Sequence, residues 1–246
     1  MSISFSNTTS KNGIIQLIER NCGFNDGDIS GNTTRLAQFT GDVNLALDKA
    51  MALIFQVGGR WQYDDSNHTS GYPIITTNIN SGQRNYAFTN DEGSNLILEI
   101  QKVMVADSTG LFREMVPVDV QEGAPTNYWD GLDTTGQPNT YDKLGNGIFL
   151  DPIPNYSRTN GLKIYINRES SYFTVSDTTK KPGFAGIFHE YVALRPSYQY
   201  AYRNSLPNVT SLERELLKME EDLMDYYKSR DKDMPKVIKP YTNSSC

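Results

Sequence analysis

Residues 210–230 read TSLERELLKMEEDLMDYYKSR, and this stretch decides the fold. Leu212, Leu216, Met219, Leu223 and Tyr226 recur in steps of four, three, four and three, which lines them along one face of an α-helix. Glu213, Arg214, Glu215, Lys218, Glu220, Glu221, Asp222 and Asp225 make the other face charged. Thr210-Ser211-Leu212-Glu213 has the spacing of a capping box, in which the hydroxyl accepts a backbone N–H and the glutamate reaches back. A helix with one apolar stripe must bury it against another element. The nearest upstream stripe is Phe184, Ile187 or Phe188, Tyr191, Leu194, Tyr198 and Ala201, so a helix is expected from Pro182, with a kink or break near 193–195 ahead of Pro196.

The other end of the chain carries the same signal. Ile14, Ile15, Leu17 and Ile18 predict a short helix over 10–22, stopped by Gly23. Leu36, Phe39, Val43, Ala46 or Leu47, Ala50 and Ile54 predict a second helix over 34–56, ended by Gly58-Gly59. Between the helical ends the period changes. Runs at 74–77, 83–88, 96–106, 111–118, 147–150, 161–167 and 171–174 read as short strands separated by turn residues, with 107–110 (DSTG) as a hairpin loop. Residues 121–141 form a long Gly/Asp/Thr/Pro loop that carries Tyr128 and Trp129.

The predicted class is therefore α+β. N- and C-terminal helices form one helical bundle, and an antiparallel β-sandwich or barrel is inserted between them. The expected divisions are 1–60 and 178–232 for the helices, 61–177 for the β-domain and 233–246 for an extended tail.

Composition narrows the function. The net charge of -6 and a pI near 5.0 argue against a nucleic-acid binder held by a basic surface. Mean hydropathy is -0.53 and no run approaches a membrane span. Hydrophobic residues make up only 37% of the 246, but 15 tyrosines and 10 phenylalanines restore buryable area. The N-terminus lacks the basic and apolar regions of a secretory signal. Cys22 and Cys246 make no disulfide framework, which fits a reducing or redox-indifferent compartment. The Asn-x-Ser/Thr triplets beginning at Asn7, Asn32, Asn67, Asn155, Asn208 and Asn243 follow from the Asn/Ser/Thr-rich composition.

No catalytic constellation assembles from the sequence, and no enzyme, cofactor or metal is expected. His68 with Asp64 and Asp65 lacks ligand spacing and reads as a solvated turn. His189 beside Phe188 reads as a packed or interfacial histidine. Asn25-Asp26-Gly27-Asp28 lacks the later bidentate glutamate of a calcium loop and reads as a turn. Nothing singles out Asp130/Asp133 or Asp142/Asp151 as a glycosidase pair.

Several stretches taken together carry a resemblance: LALDKAMALIFQVGGRWQYDDSNHT (45–69), PIITTNINSGQRNYAF (73–88), YDKLGNGIFLDPIPNY (141–156), GLKIYINRESSYFT (161–174), DTTKKPGFAGIFHEYVAL (177–194) and YAYRN (200–204). They resemble bacteriophage head-to-tail connector, or adaptor, proteins of the virion neck. The resemblance covers roughly residues 10–232. It implies a structural protein, assembled in the host cytoplasm into a homo-oligomeric ring, commonly dodecameric. The ring sits below the portal protein, and DNA passes through it without specific binding. The ring's other neighbours would be tail nozzle, tube or fibre proteins.

On that reading Phe184, Phe188, Tyr191, Tyr198, Tyr226 and Tyr227 are expected at the oligomer or portal interface, with Pro235, Val237, Ile238, Pro240 and Tyr241 of the tail. Tyr128 and Trp129 are expected on a loop facing the tail or fibres. The competing expectation is a carbohydrate-binding β-sandwich module of a receptor-binding component, stacking sugars on Trp129, Tyr128 and Tyr141.

Overall fold

The computed structural model describes residues 3–58, 74–87, 97–118, 134–144 and 147–230. Within them the chain is α+β, with four α-helices and ten short strands in several sheets, none closed into a barrel. It divides into two compact units. The first takes the described residues of Met1–Trp61, Phe173–Thr179 and Ala185–Cys246; the second takes those of Gln62–Tyr172 and Lys180–Phe184.

The first unit is helical. Helix α1 (Ile14–Asn21) is shorter than the expected 10–22, because the preceding chain doubles back and caps it at Ile14. The amides of Ile14 and Ile15 donate to the carbonyls of Ser4 and Phe5, satisfying first-turn groups that no helical bond reaches. Phe5 is thereby buried and stacks on Phe173 with ring centroids 4.8 Å apart. Helix α2 (Thr33–Gln56) starts on a cap that the apolar pattern did not reveal: Asn32 Oδ1 accepts from the amides of Thr34 and Arg35 at 3.1 and 3.0 Å. Its buried stripe is Phe39, Val43, Ala46, Leu47, Ala50, Leu53 and Ile54. The 25–31 loop between these helices is pinned by the buried Glu19, whose Oε1 accepts from Ile29 N, Ser30 N and Ser30 Oγ at 2.9–3.1 Å.

Two helical expectations need correction. No α-helix starts at Pro182. The chain makes only a 3-10 turn at Gly186–Phe188, and helix α3 begins nine residues later than expected, spanning Tyr191–Arg203. Nor is α3 broken ahead of Pro196, which lies inside it. The buried Ser197 hydroxyl donates to the Ala193 carbonyl at 2.7 Å, adding a side-chain bond in the turn that proline weakens. Helix α4 (Val209–Arg230) also starts before the expected capping box, so Thr210 lies in its first turn. Asn208 precedes the helix: its carbonyl accepts from Leu212 N at 3.1 Å and its amide donates to Asn21 O at 2.7 Å. One asparagine thus ties the start of α4 to the end of α1.

The second unit is built on two four-stranded sheets. The first orders β1 (Ile74–Ile79), β10 (Arg158–Arg168), β3 (Ile97–Ala106) and β4 (Phe112–Glu114), all antiparallel. The second orders β2 (Asn85–Ala87), β8 (Gly147–Asp151), β7 (Thr140–Leu144) and β5 (Val116–Pro117). Strand β5 runs parallel to β7, so this sheet departs from the all-antiparallel expectation. Strands β6 (Thr135–Gly136) and β9 (Ile153–Pro154) form a small parallel pair. The two larger sheets share one apolar cluster. Ile79, Val103, Val105, Leu162, Ile164 and Ile166 come from the first, and Tyr86, Tyr141, Ile148 and Leu150 from the second. Each set follows the alternation of strand side chains, and bulges in β3 at Gln101 and Leu98, opposite 165/166 and 167/168 of β10, shift the register between the two strands.

The hairpin at 107–110 forms as expected. Asp107 Oδ1 accepts from the amides of Thr109, Gly110 and Leu111 and from the Thr109 hydroxyl, which holds its carboxyl below the usual range. Gly110 has φ +99°, where a Cβ would collide with the Arg158 guanidinium. Two strand assignments fail. Thr140–Leu144 is a strand, although it overlaps the end of the stretch read as a loop. Ser171–Thr174 is not one, because Asn44 of α2 takes the place of a neighbouring strand there. Its amide donates to Phe173 O at 3.0 Å, and its Oδ1 accepts from Phe173 N at 2.8 Å. Removing that amide leaves two backbone groups to find new partners. Asn44→Ala is therefore expected to destabilise the helical unit by about 2 kcal/mol, and Asn44→Asp, which sets a carboxylate oxygen against the Phe173 carbonyl, by at least as much. Urea unfolding followed by circular dichroism checks both values.

Candidate interaction surface

The best-defined surface feature of the helical unit is the seam between α3 and α4. On α3, Tyr191, Arg195, Tyr198 and Tyr202 are spaced four, three and four apart and so share a face. On α4, Glu213, Leu217 and Glu220 do the same. Three contacts fix the antiparallel register between them. The Tyr191 hydroxyl donates to Glu220 Oε1 at 2.8 Å, and the Arg195 guanidinium reaches the same oxygen at 3.2 Å. One end further along, the Tyr198 hydroxyl meets Glu213 Oε1 at 3.5 Å.

The seam is closed at its base and open at its rim. The ring of Tyr191 is fully buried. Its phenol is pushed well above the usual tyrosine value, first by that burial and then by the Glu220 carboxylate that its proton bonds. Leu217, between Glu213 and Glu220, is 55% exposed, and Tyr202 is 70% exposed. Tyr198 is half-buried, with its ring centroid 6.2 Å from that of Tyr202. Two tyrosines, a leucine and an arginine beside carboxylates match the composition of protein-interface anchors, where Tyr and Arg are enriched. The exposed face of α4 adds charge: Glu213, Glu215, Glu221, Asp222 and Asp225 outnumber Arg214, Lys218 and Lys228 five to three.

Burial sorts the interface residues expected from the sequence. Phe184, Phe188, Tyr191 and Tyr227 are buried, so the folded chain offers none of them to a partner. Aromatic side chains in a helical stripe went to the core, as the hydrophobic effect favours. Tyr227 does structural work there, its hydroxyl accepting from Ala185 N at 3.0 Å. Tyr226 is half-buried and packs edge-on against Phe188 at 5.3 Å. Only Tyr198 of the six lies on the open seam. Pro235, Val237, Ile238, Pro240 and Tyr241, and Tyr128 and Trp129, lie outside the described residues, as do His68, Asp64, Asp65, Asp130 and Asp133.

The sequence reading missed Tyr202, Arg195 and Leu217. The signal for Leu217 was present: it is an apolar residue that falls outside the stripe of its own helix.

The remaining chemistry is quiet among the described residues. No group of three His, Cys, Asp or Glu side chains is placed to hold a metal, and no helix is long and apolar enough to cross a membrane. His189 is buried and its Nδ1 accepts from Ile3 N at 3.1 Å, which anchors the N-terminal segment. Burial pushes the Cys22 thiol up to about 11, so it is no thiolate at neutral pH. Asp142 and Asp151 lie on paired strands, Asp142 opposite Phe149 and Asp151 opposite Thr140. No protein-family model matches the chain, and no curated protein matches it.

The raised Tyr191 value sets a pH dependence. A folded pKa above the unfolded value of about 10 means that the stabilisation is complete below pH ~10 and is lost as pH rises toward the folded value. Wild-type protein should therefore lose stability above pH ~10 more steeply than Tyr191→Phe. Urea unfolding midpoints measured across the alkaline range check the difference.

Proposed function

We propose that this chain is a virion structural protein, a head-to-tail adaptor whose copies form a ring below the phage portal. In this reading the four helices are a bundle made from both ends of the chain, and the two sheets with their common apolar cluster are an inserted β-sandwich. The observation that carries the reading is the α3/α4 seam, which leaves Tyr202 and Leu217 exposed while Leu194, Leu212, Leu216 and Leu223 of the same two helices are buried. Exposed apolar and aromatic side chains beside the charged face of α4 are what a subunit contact requires. A ring needs a heterologous contact, in which one surface of a copy meets a different surface of the next and the rotation closes.

Charge supports the same reading. At -6 per copy, a ring would repel a DNA backbone threading it, which suits a conduit that must not hold its cargo. The long sequence resemblance to connector proteins points the same way. The partners would be the portal above and tail components below.

The test is assembly. Purified protein should sediment as a closed oligomer and show rings with a central channel in electron micrographs. Burying Leu217 is worth roughly 1.5–3 kcal/mol, so Leu217→Glu should weaken assembly by about ten- to a hundredfold while leaving the monomer folded. A wild-type chain that stays monomeric at the highest soluble concentration removes the ring reading.

A further inference from the structure

A ring built through the seam requires a second, unlike surface for the seam to meet. We propose that this surface is the β3–β4 hairpin corner of the neighbouring copy. Its Leu111 packs against Tyr202 and Leu217, and its Arg113 and Arg158 face Glu213 and Glu221. The proposal rests on the ring reading and names the contact that closes it.

The corner is ordered before anything docks on it. Asp107 Oδ1 gathers the amides of Thr109, Gly110 and Leu111, which fixes the loop. Leu111 follows the loop and is 61% exposed. Arg158, at the start of β10, lays its guanidinium against the bare Cα of Gly110, where a side chain would have no room. Among the described residues that guanidinium has no ion pair. Arg113, on β4, is also exposed, and its nearest acid is Asp107, with Oδ2 4.0 Å away. The two acids of the corner are engaged, Asp107 by the loop amides and Glu114 by Lys102 at 2.8 Å. What faces solvent is a leucine beside two arginines. An arginine already held by packing loses less freedom when it meets a carboxylate.

The seam offers the complement. The charged residues one turn from Leu217 on α4 are Glu213, Arg214, Glu220 and Glu221. Glu220 is occupied by Tyr191 and Arg195. That leaves two exposed carboxylates and one base around an exposed leucine. Across the seam, Tyr202 presents a ring on which a guanidinium can also stack.

Like pairings are worse than the unlike one. Seam against seam sets Glu213 and Glu221 against their own counterparts, and corner against corner does the same to the arginines. Like charges brought together across an interface cost affinity and so reject the wrong partner surface. The seam-to-corner pairing opposes charge and covers the apolar side chains of both surfaces. It is also heterologous, which is the kind of contact that closes a ring.

Charge reversal in the full chain tests this. A corner variant carries Arg113→Glu and Arg158→Glu, and a seam variant carries Glu213→Arg and Glu221→Arg. Each alone is expected to need about tenfold more protein than the wild type to assemble, with thermal unfolding unchanged. Mixed in equal amounts they should assemble close to the wild-type concentration, because each reversed corner meets a reversed seam and each native corner a native seam. Leu111→Glu should weaken assembly as Leu217→Glu does, and it carries the test if a charge reversal unfolds early. The proposal is overturned if the corner variant and Leu111→Glu both assemble as the wild type does, or if the mixture gains nothing over its parts. A ring that is lost with Leu217→Glu but indifferent to every corner change leaves the adaptor reading standing and removes this contact. A monomeric wild type removes both.

Discussion

The carboxylate of Glu220 organises the helical unit. It receives the Tyr191 hydroxyl and the Arg195 guanidinium on one oxygen, and both donors come from consecutive turns of α3. Two charge-assisted bonds contribute about 1.5–3 kcal/mol each, but part of that is offset by removing the charges from water. The larger stabilisation comes from burying Leu194, Leu212, Leu216, Leu223 and Tyr227, at roughly 1.5–3 kcal/mol per side chain. Burial therefore holds α3 against α4, whereas Glu220 sets which turn meets which. That register places Tyr198 beside Glu213 and leaves Tyr202 and Leu217 on the rim. A slip of one turn would carry Tyr191 away from its partner and strand a phenol in the core.

A second constraint acts through asparagines. Asn32 caps α2, Asn208 links α4 to α1, and Asn44 satisfies both backbone groups of Phe173. Each supplies a donor, an acceptor or both where the backbone has no regular partner. The Asn-rich composition, which accounts for the Asn-x-Ser/Thr triplets, is also the means by which loops are fixed to helices.

Much of this was legible from spacing. The stripes of α2 and α4, the hairpin at 107–110 and most of the strands follow from periodicity and turn chemistry. What was illegible depended on groups distant in sequence. Ser171–Thr174 has the composition of a strand, but its backbone groups bond to side chains, those of Phe173 to Asn44, 129 residues away, Thr174 N to Asp177 and Tyr172 O to Lys180. The start of α3 was placed too early because Phe184 and Phe188 fit a helical period, yet period alone does not distinguish a helix from a 3-10 turn packed on a core. The interface residues were misplaced for a related reason. Aromatic side chains at helical spacing read as contact residues, but the structure buries Phe184, Phe188, Tyr191 and Tyr227. Burial is a property of the assembled helices, whereas Leu217, the residue out of phase, was the local clue to a surface.

In the proposed ring, the α3/α4 seam is the surface through which copies meet. Hydroxyl-radical footprinting of side chains, in dilute and in concentrated protein, reads that surface directly. Tyr202 and Leu217 should lose labelling together as the protein assembles, while the similarly exposed Leu45 does not change. Undiminished labelling of Tyr202 and Leu217 in assembled protein would contradict it.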